Sequence, residues 1–437
     1  MNDKEANHTV IAEILIPMSE HDTPQVKSAD DPAFQLPATL GSLSLPLCIG
    51  GLVALLAGWG IANSIHARFG MSVYLTSFMY CISIALGCLF FVILQHLCRA
   101  GWSVVVRRIA ETLMLMVIPL GILFLPILGT LFAGEGILYR WDDPNHALEN
   151  HLPIIAWAEK TRWLNSSWFT IRAIIYFAIW SALALFYYRG STGQDATGDK
   201  AITDRLQYWS GPAIMMFCGA TSFAAFDWVM SLAPMWFSTM FGVYVFAGSI
   251  LSAHCIISVS VYLLQKCGSI REEVTVEHYH DLGKYMFGFV FFWTYIAFSQ
   301  YLLIWYGNIP EETEWFYHRQ LDSWGTISIV LILFHWMLPF AGLMSRHVRR
   351  NPKLIFSWAI YLLLLHFVDI YWMIMPESAA NGAEASPEGV KGVLASILSV
   401  TGMFAFMIGV TLSIAKRNRI IAFQDPRIRE SIAFENI

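Results

Sequence analysis

The sequence alternates between apolar runs of about membrane-spanning length and shorter polar segments. A membrane-spanning helix needs roughly 20 mostly apolar residues. Charged residues make up only 14% of the 437 residues, whereas a soluble domain usually carries about 25%. We therefore predict an all-α, polytopic integral membrane protein with about ten transmembrane helices. The predicted spans are 44–65, 73–98, 109–132, 169–188, 209–231, 235–264, 285–306, 324–345, 354–375 and 392–415.

Lys and Arg are divided unequally between the two sides of the predicted membrane. Of the 27 Lys and Arg residues, 20 fall on the side of the chain ends and 7 on the other side. Because positively charged loops stay in the cytoplasm, we expect both termini to be cytoplasmic. The start of the chain lacks a basic segment followed by an apolar one, so residues 1–43 are expected to be a cytoplasmic arm and not a cleavable signal peptide. With no basic block, the net charge of −5 gives no indication of nucleic-acid binding.

A faint internal repeat relates the fourth predicted span to the eighth. Leu164-Asn-Ser-Ser-Trp-Phe-Thr-Ile opens the fourth span, and Leu321-Asp-Ser-Trp-Gly-Thr-Ile opens the eighth. A match this short also arises by chance. If it is a true repeat, it predicts two four-helix bundles, plus two flanking helices formed by the first and last spans. The predicted division is an arm at 1–43, a first flanking helix and outer turn at 44–72, bundles at 73–231 and 232–375, and an outer loop, last helix and cytoplasmic tail at 376–437.

Several predicted spans contain titratable residues. An Asp at the centre of a membrane helix costs roughly 2.5–3.5 kcal/mol on insertion scales, so each such residue is a functional candidate. Asp227 lies near the outer end of the fifth span, and Asp369 lies three residues after His366 on the same face of the ninth. The other candidates are His335 in the middle of the eighth span, His254 in the inner half of the sixth, Glu111 and His96 near inner ends, and the polar stripe Tyr295, Ser299, Gln300 and Tyr301 in the seventh.

Each of these residues also has a structural explanation. Glu111 and His96 lie close enough to the inner interface to be solvated, and Asp227 can reach outer water from a helix end. The pair His366 and Asp369 can be a polar contact between helices, and tyrosines are common at membrane interfaces.

As a functional set, the candidates suit proton movement, because carboxylates, His and Tyr gain and lose protons. Asp227 and Asp369 lie at similar depths in their predicted spans. We expect Asp227, His366 and Asp369 to form one outer-half cluster, in which two carboxylates share a site of low dielectric constant.

Two other classes of membrane protein fit parts of the sequence. A haem b protein needs two histidines on facing helices at matching depth, and the histidines in the spans form no obvious pair of this kind. A secondary transporter usually has interrupted helices near the midplane, and the prolines in the spans do not fall in matched positions. The seven cysteines form no C-x-x-C pair, which argues against a zinc site or an iron–sulfur cluster in this chain.

Two stretches resemble the NrfD/PsrC-like membrane subunits of bacterial alternative complex III. One is Phe226-Asp-Trp-Val-Met-Ser-Leu-Ala-Pro-Met-Trp-Phe-Ser-Thr-Met-Phe-Gly. The other runs His280-Asp-Leu-Gly-Lys-Tyr-Met-Phe-Gly-Phe, then Phe298-Ser-Gln-Tyr-Leu-Leu-Ile-Trp-Tyr-Gly-Asn-Ile-Pro-Glu-Glu-Thr. Residues 366–372 fit the same pattern, and the similarity covers essentially the whole span region. The length and the acidic arm are more similar to the smaller, ActF-type subunit than to its larger sibling.

The resemblance implies an integral subunit of a quinol:cytochrome c (or similar acceptor) oxidoreductase in a bacterial inner membrane. Its implied partners are a sibling NrfD-like subunit, an iron–sulfur subunit and a multihaem cytochrome c subunit, besides membrane lipid. Those partners would hold the iron–sulfur clusters and haem c, and this chain would bind none, although a bound quinone is possible. Asp227, His366 and Asp369 match motif positions where the family has proposed proton routes. A purely structural scaffold remains the alternative, and the aromatic outer loop 133–168 is expected to contact a partner.

Overall fold

The computed structural model describes residues 34–133, 136–143, 145–146, 154–378 and 389–436, and within these ranges it contains helices and no β-strand. Ten of the described helices are long and apolar enough to cross a membrane, which confirms the predicted all-α polytopic class. They are α1 Ser44–Ile65, α2 Ala67–Leu97, α3 Val104–Ala133, α4 Ser166–Thr197, α5 Lys200–Trp228, α6 Phe241–Lys266, α7 Val276–Gly307, α8 Asp322–Met344, α9 Pro352–Ser378 and α10 Gly389–Ala415.

Shorter helices lie between or beside the spans. The α-helices among them are Ala38–Ser42, Ile154–Trp163, Pro310–His318, Arg346–Arg349 and Ile428–Ile432, and Arg140–Asp142 and Met230–Leu232 are single 3₁₀ turns. Ile154–Trp163 and Pro310–His318 belong to the connections before α4 and before α8, at the same end of the molecule.

The beginning of α1 and the end of α10 meet on one side of the molecule. The Ile420 amide donates to the Phe34 carbonyl at 2.9 Å, and the Lys416 ammonium donates to the Ser44 hydroxyl at 2.6 Å. An even number of spans places both ends of the chain on the same side, so ten spans require the two ends to lie there. We call this side the basic side, because the sequence places most Lys and Arg there, and the opposite side the far side.

Helices α2 and α6 form the centre of the molecule. Most of α2 is buried on all faces, which is why it is apolar along its whole length without an amphipathic pattern. The two helices approach closely at Gly87, where an added Cβ would lie only 1.9 Å from the Ser249 carbonyl oxygen. Glycine is therefore needed at this crossing. Around this pair, α3, α4 and α5 pack on α2, α7 and α9 pack on α6, and α8 packs on α7 and α9.

Helices α1 and α10 pack against each other through small residues, and both contact α2. A Cβ on Gly58 would lie 2.6 Å from the Ser399 amide nitrogen, and one on Gly402 would lie 2.3 Å from the Leu55 amide nitrogen. Membrane helices lack a hydrophobic driving force for association, so small residues that allow close backbone contact commonly form their interfaces.

Prolines disturb two spans more than the sequence suggested. Helix α3 consists of Val104–Met114, Val117–Leu123 and Leu125–Ala133, and α8 contains a π-helical segment, Leu331–Met337. Each disturbance precedes a proline, which lacks the N–H that would bond the carbonyl four residues earlier. The backbone at Leu115 and Phe124 remains right-handed, so α3 is interrupted there without being unwound.

Candidate functional site

A cluster of buried polar side chains lies near mid-span and connects five helices. We call it the central cluster. Each member is at most 5% exposed. Its members are Ser83 on α2, Tyr244 on α6, Trp293 on α7, His335 on α8, and His366 and Asp369 on α9.

Asp369 is held by two neutral donors. The Tyr244 hydroxyl donates to Oδ1 of Asp369, and the Trp293 indole N–H donates to Oδ2 at 3.1 Å. No cation of the described residues forms an ion pair with this carboxyl group. A buried carboxylate without a cation favours its neutral form, because burial penalises the charge. Asp369 therefore has the surroundings of a group that can take up a proton.

His366 lies one helical turn from Asp369 and contacts α2. Its Nε2 lies 2.8 Å from the Ser83 hydroxyl oxygen, whereas its Nδ1 is buried and has no hydrogen-bond partner in the described part of the chain. Gly248 on α6 makes room for both α9 side chains. A Cβ there would lie 3.2 Å from Nδ1 of His366 and 3.7 Å from Oδ2 of Asp369.

His335 is the least satisfied member of the cluster. Its ring stacks on Trp293 with a centroid distance of 4.2 Å, and neither ring nitrogen has a hydrogen-bond partner among the described residues. It lies in the π-helical segment of α8, four residues before Pro339. Local π-helical geometry occurs frequently at functional sites. Because an unpaired buried polar atom costs free energy, His335 is a poor choice for a purely structural residue.

Water is the simplest partner for the unpaired atoms of the cluster. Buried waters typically make two to four hydrogen bonds to polar groups that lack protein partners. Nδ1 of His366 and both nitrogens of His335 offer three such positions. Together with Asp369 and Tyr244, they form a set of groups that can pass a proton between neighbours.

Asp227 lies in a different set of contacts, at the far end of α5. Arg172 of α4 binds both of its carboxyl oxygens, at 2.6 and 2.9 Å, and the Tyr176 hydroxyl donates to Oδ2 at 2.8 Å. The Trp163 indole also donates to it at 3.1 Å. Among the described residues, Asp227 and Asp369 share no hydrogen-bond partner. The described contacts therefore do not join the two carboxyl groups into one site, because the partners of Asp227 lie on or just before α4 and those of Asp369 lie on α6 and α7.

The residues near the basic side are buried, so the solvation explanation for them is wrong. Glu111 is 0% exposed and His96 only 2%. Glu111 pairs with Arg107 at 3.0 Å and with Arg108 at 2.9 Å. These arginines also bind acidic groups of other segments, Asp425 at 2.6 Å and Asp195 at 2.8 Å. Short-range attraction in this network holds the C-terminal segment against α3.

His254 lies between the central cluster and the basic side. Its Nδ1 bonds the Ile250 carbonyl of its own helix at 2.8 Å, and Tyr285 stacks on its ring at 4.8 Å. Its Nε2 has no hydrogen-bond partner in the ranges that the structure describes. No direct hydrogen bond joins it to His366 within the described residues. A proton route between the two histidines would need water.

The predicted polar stripe of α7 is divided between two faces. Tyr295 is 57% exposed on the surface of the chain, whereas Gln300 is buried. Tyr295 therefore faces the surroundings, as expected of an ordinary membrane tyrosine, and Gln300 faces the interior. Neither of them contacts the central cluster through a described hydrogen bond.

The histidine depths differ from the sequence-based estimate. His335 and His366 both lie near the middle of their helices, so the depth argument against a haem is wrong for this pair. Packing gives a better argument, because Trp293 covers the ring of His335 and Ser83 engages Nε2 of His366. In the described residues, no group of three or more His, Cys, Asp or Glu side chains is placed to hold a metal ion.

Sequence reasoning missed the neutral partners and two arginines. Arg319, on the far side, is fully buried and donates to the Met373 carbonyl at 2.8 Å, pairs with Glu377 at 3.1 Å, and lies over Trp315. Burial lowers the pKa of this guanidinium to about 10. Of these residues, only Arg172 carried a signal in the sequence, because a charged residue inside a predicted span is unusual.

The fold and the site together define a polytopic α-helical membrane protein with a titratable cluster buried at mid-span. Compared with the models of known protein families and with the sequences of characterised proteins, the chain matches none of them.

Proposed function

We propose that this chain is the smaller, ActF-type NrfD/PsrC-like subunit of a quinol-oxidising membrane complex, and that its central cluster belongs to a proton-conducting path. The resemblance of the span region motivates the membership. The observation that carries the proton path is the pair of buried histidines with unpaired ring nitrogens beside an Asp without a cation. A packed core gains no stability from such groups, so we infer that they are kept for chemistry.

In this proposal, Asp369 holds the proton and the histidines pass it on. Tyr244 and Trp293 position the carboxyl group, while His366 and His335 offer nitrogens that accept a proton from Asp369 through water. The ion-paired Asp227 and Glu111 are less suited to this role, because arginine side chains already occupy their carboxyl oxygens. We assign them to holding the helices and termini together.

In this proposal, partner subunits hold all the electron-transfer groups. The family's iron–sulfur clusters and haem c would lie there, and electrons from the quinol would pass through them to a cytochrome c or a similar carrier. The outer connection before α4 is the candidate contact surface on the far side. Trp141 and Trp157 pack inside the chain, but Trp163 and Trp168 are about half exposed, so a partner contact would use the latter two.

Two alternatives remain. A structural scaffold would use the central cluster only for contacts between helices. A secondary transporter would need an opening to both sides and an unwound helix near the midplane. The right-handed backbone at the interruptions of α3 is less favourable to the second alternative.

Proton release per electron separates these functions. The purified complex would be reconstituted into vesicles, and proton release during quinol oxidation would be compared for the native chain and Asp369→Asn. Asn keeps the size and an acceptor oxygen but cannot carry a proton. We expect the variant complex to assemble and to release fewer protons per electron. Asp322→Asn, which changes an exposed carboxylate at the start of α8, is the matched control.

The His366→Gln variant provides a second, independent measurement. Unchanged ratios in both assembled variants would end the proton-path proposal and leave the scaffold. Isolation of the chain without iron–sulfur and cytochrome partners, with all activity retained, would instead contradict the membership in the complex.

A further inference from the structure

A large apolar cleft opens in the half of the molecule nearer the basic side. Its volume is about 750 Å³, and it lies between α1, α10, α9, α6 and α3. Leu364, Ile397 and Thr401 line its outer part and are exposed. At its deep end lies Tyr80 of α2. A cleft of this size is large enough for a ligand, since small-molecule sites commonly have about 300–1,000 Å³.

The cleft interior favours hydrocarbon over a polar ring. Its hydroxyl groups donate to carbonyls of their own helices, as Thr401 does to Ile397 at 2.6 Å and Ser260 to Ile256 at 2.7 Å. The Tyr80 hydroxyl donates to the Leu363 carbonyl at 3.3 Å. A quinone carbonyl buried there would lack a donor, and an unpaired carbonyl is costly. Acyl chains need no such partner.

The mouth of the cleft is polar and positively charged. Asn418 and Arg419 line it, and the Asn418 amide donates to the Tyr188 hydroxyl at 2.7 Å. Lys416 and Arg417 precede them at the end of α10, and both are exposed. The nearby Arg108 is already paired with Glu111 and Asp195. Lys416 bonds the Ser44 hydroxyl, Arg419 lies over the Phe423 ring and Arg417 lies near Tyr188, so three cationic groups surround the mouth.

We propose that this cleft binds one anionic phospholipid of the leaflet on the basic side, with acyl chains in the apolar interior and the phosphate at Arg417 and Arg419. Three features support this occupant: the shape of the cleft, the described interior hydroxyls that already donate to backbone carbonyls, and the cationic groups at the mouth. Basic pockets between membrane helices are known to bind anionic head groups. The proposal is independent of proton conduction.

Photo-crosslinking tests the proposal on the full-length chain, purified with the partners that accompany it. Nanodiscs would contain phosphatidylglycerol or phosphatidylcholine whose acyl chain carries a photoreactive diazirine, and labelled peptides would be identified by mass spectrometry. We expect labelling of the α10 segment around Thr401 and of α9 around Leu364, stronger with phosphatidylglycerol. The Leu364→Trp substitution would narrow the cleft between α9 and α10 and reduce this labelling. Leu333→Trp, at an exposed leucine of α8 outside the cleft, would leave it unchanged.

Charge variants test the head group. A basic residue near anionic lipid contributes about 1 kcal/mol, which corresponds to about a fivefold change in affinity. We expect Arg417→Gln and Arg419→Gln each to weaken phosphatidylglycerol labelling about fivefold, and the exposed Lys353→Gln to have no effect. Equal labelling by both lipids, or labelling that Leu364→Trp does not reduce, would overturn the proposal. Recovery of one bound quinone per chain that blocks labelling would also overturn it.

Discussion

Nε2 of His366 lies 2.8 Å from the hydroxyl oxygen of Ser83, and this contact joins the middle of α9 to the middle of α2. It is the only described hydrogen bond that the His366 ring makes, since Nδ1 is unpaired. The contact therefore fixes the orientation of the ring beside Asp369.

Replacing Ser83 by Ala should destabilise the protein more than an equivalent change elsewhere on α2. The variant leaves both nitrogens of the His366 ring unpaired in a buried site, which costs roughly 1–3 kcal/mol. Ser77→Ala is the matched control, because the Ser77 hydroxyl donates only to the Val73 carbonyl of its own helix. Chemical unfolding in detergent would measure both variants. Equal losses would show that the contact with His366 adds no stability.

The sequence identifies His366 and Asp369 as candidates because titratable residues inside apolar runs are rare. It does not identify Ser83, Tyr244 or Trp293, because these residue types are ordinary in membrane helices. Their importance comes from packing between segments that are far apart in the sequence. The spans could be predicted from hydropathy, because an apolar run of sufficient length indicates a membrane helix. The same apolar run does not indicate which other helix it packs against, so the contacts between spans could not be predicted.

Removing the positive partner of Asp227 should be strongly destabilising. In the Arg172→Ala variant, a carboxyl group that is 1% exposed loses its bidentate cation. Breaking a buried ion pair on one side typically costs about 3–5 kcal/mol. The double variant Arg172→Ala/Asp227→Asn should recover part of this loss, because no unpaired charge remains. The exposed Arg162→Ala serves as the control, with an expected change within about 0.5 kcal/mol.

Glycine substitutions on α1 should separate helix contact from helix propensity. Gly58→Leu places a side chain where a Cβ alone would lie 2.6 Å from the backbone of α10, whereas the Cβ of Gly60 would have no neighbour within 4 Å. We expect Gly58→Leu to lose about 1–3 kcal/mol through overpacking. Gly60→Leu should be neutral or slightly stabilising, since Leu favours helix more than Gly does. Thermal unfolding would compare the two, and a similar loss in both would contradict the proposed helix contact.

Stability should respond to pH through Asp142, which lies outside the membrane spans. Burial raises the pKa of its carboxyl above the ordinary value of 3.8. The folded state thus binds this proton more readily than the unfolded state does, so the charge costs stability at neutral pH. The cost disappears as the pH falls through the raised folded pKa towards 3.8. Asp142→Asn should therefore be more stable than the native chain at pH 7, with the difference vanishing near pH 3.5–4. A constant difference across this pH range would contradict this assignment.

Replacing His335 by Phe should stabilise the protein while impairing proton release. Both ring nitrogens of His335 are buried without partners, and its ring already stacks on Trp293 at 4.2 Å. Phe fills a similar volume, keeps the aromatic stack and removes two unpaired polar atoms. Since such atoms cost roughly 1–3 kcal/mol when unsatisfied, we expect a gain of up to about that size. His347→Phe, at an exposed position, is the control for replacing a histidine by a phenylalanine. It should alter the free energy of unfolding by less than about 0.5 kcal/mol.

The same variant distinguishes a proton carrier from a core residue. A proton carrier predicts fewer protons released per electron in an assembled and more stable complex, because Phe cannot accept a proton. A structural histidine predicts the reverse, a less stable protein with an unchanged ratio. Buried water held by His335 would weaken the gain in stability, since the water already supplies the missing hydrogen bonds, but it would not restore proton transfer. A variant that is more stable and releases fewer protons per electron would therefore place His335 in the proton path. A histidine that only holds helices together would not produce both effects.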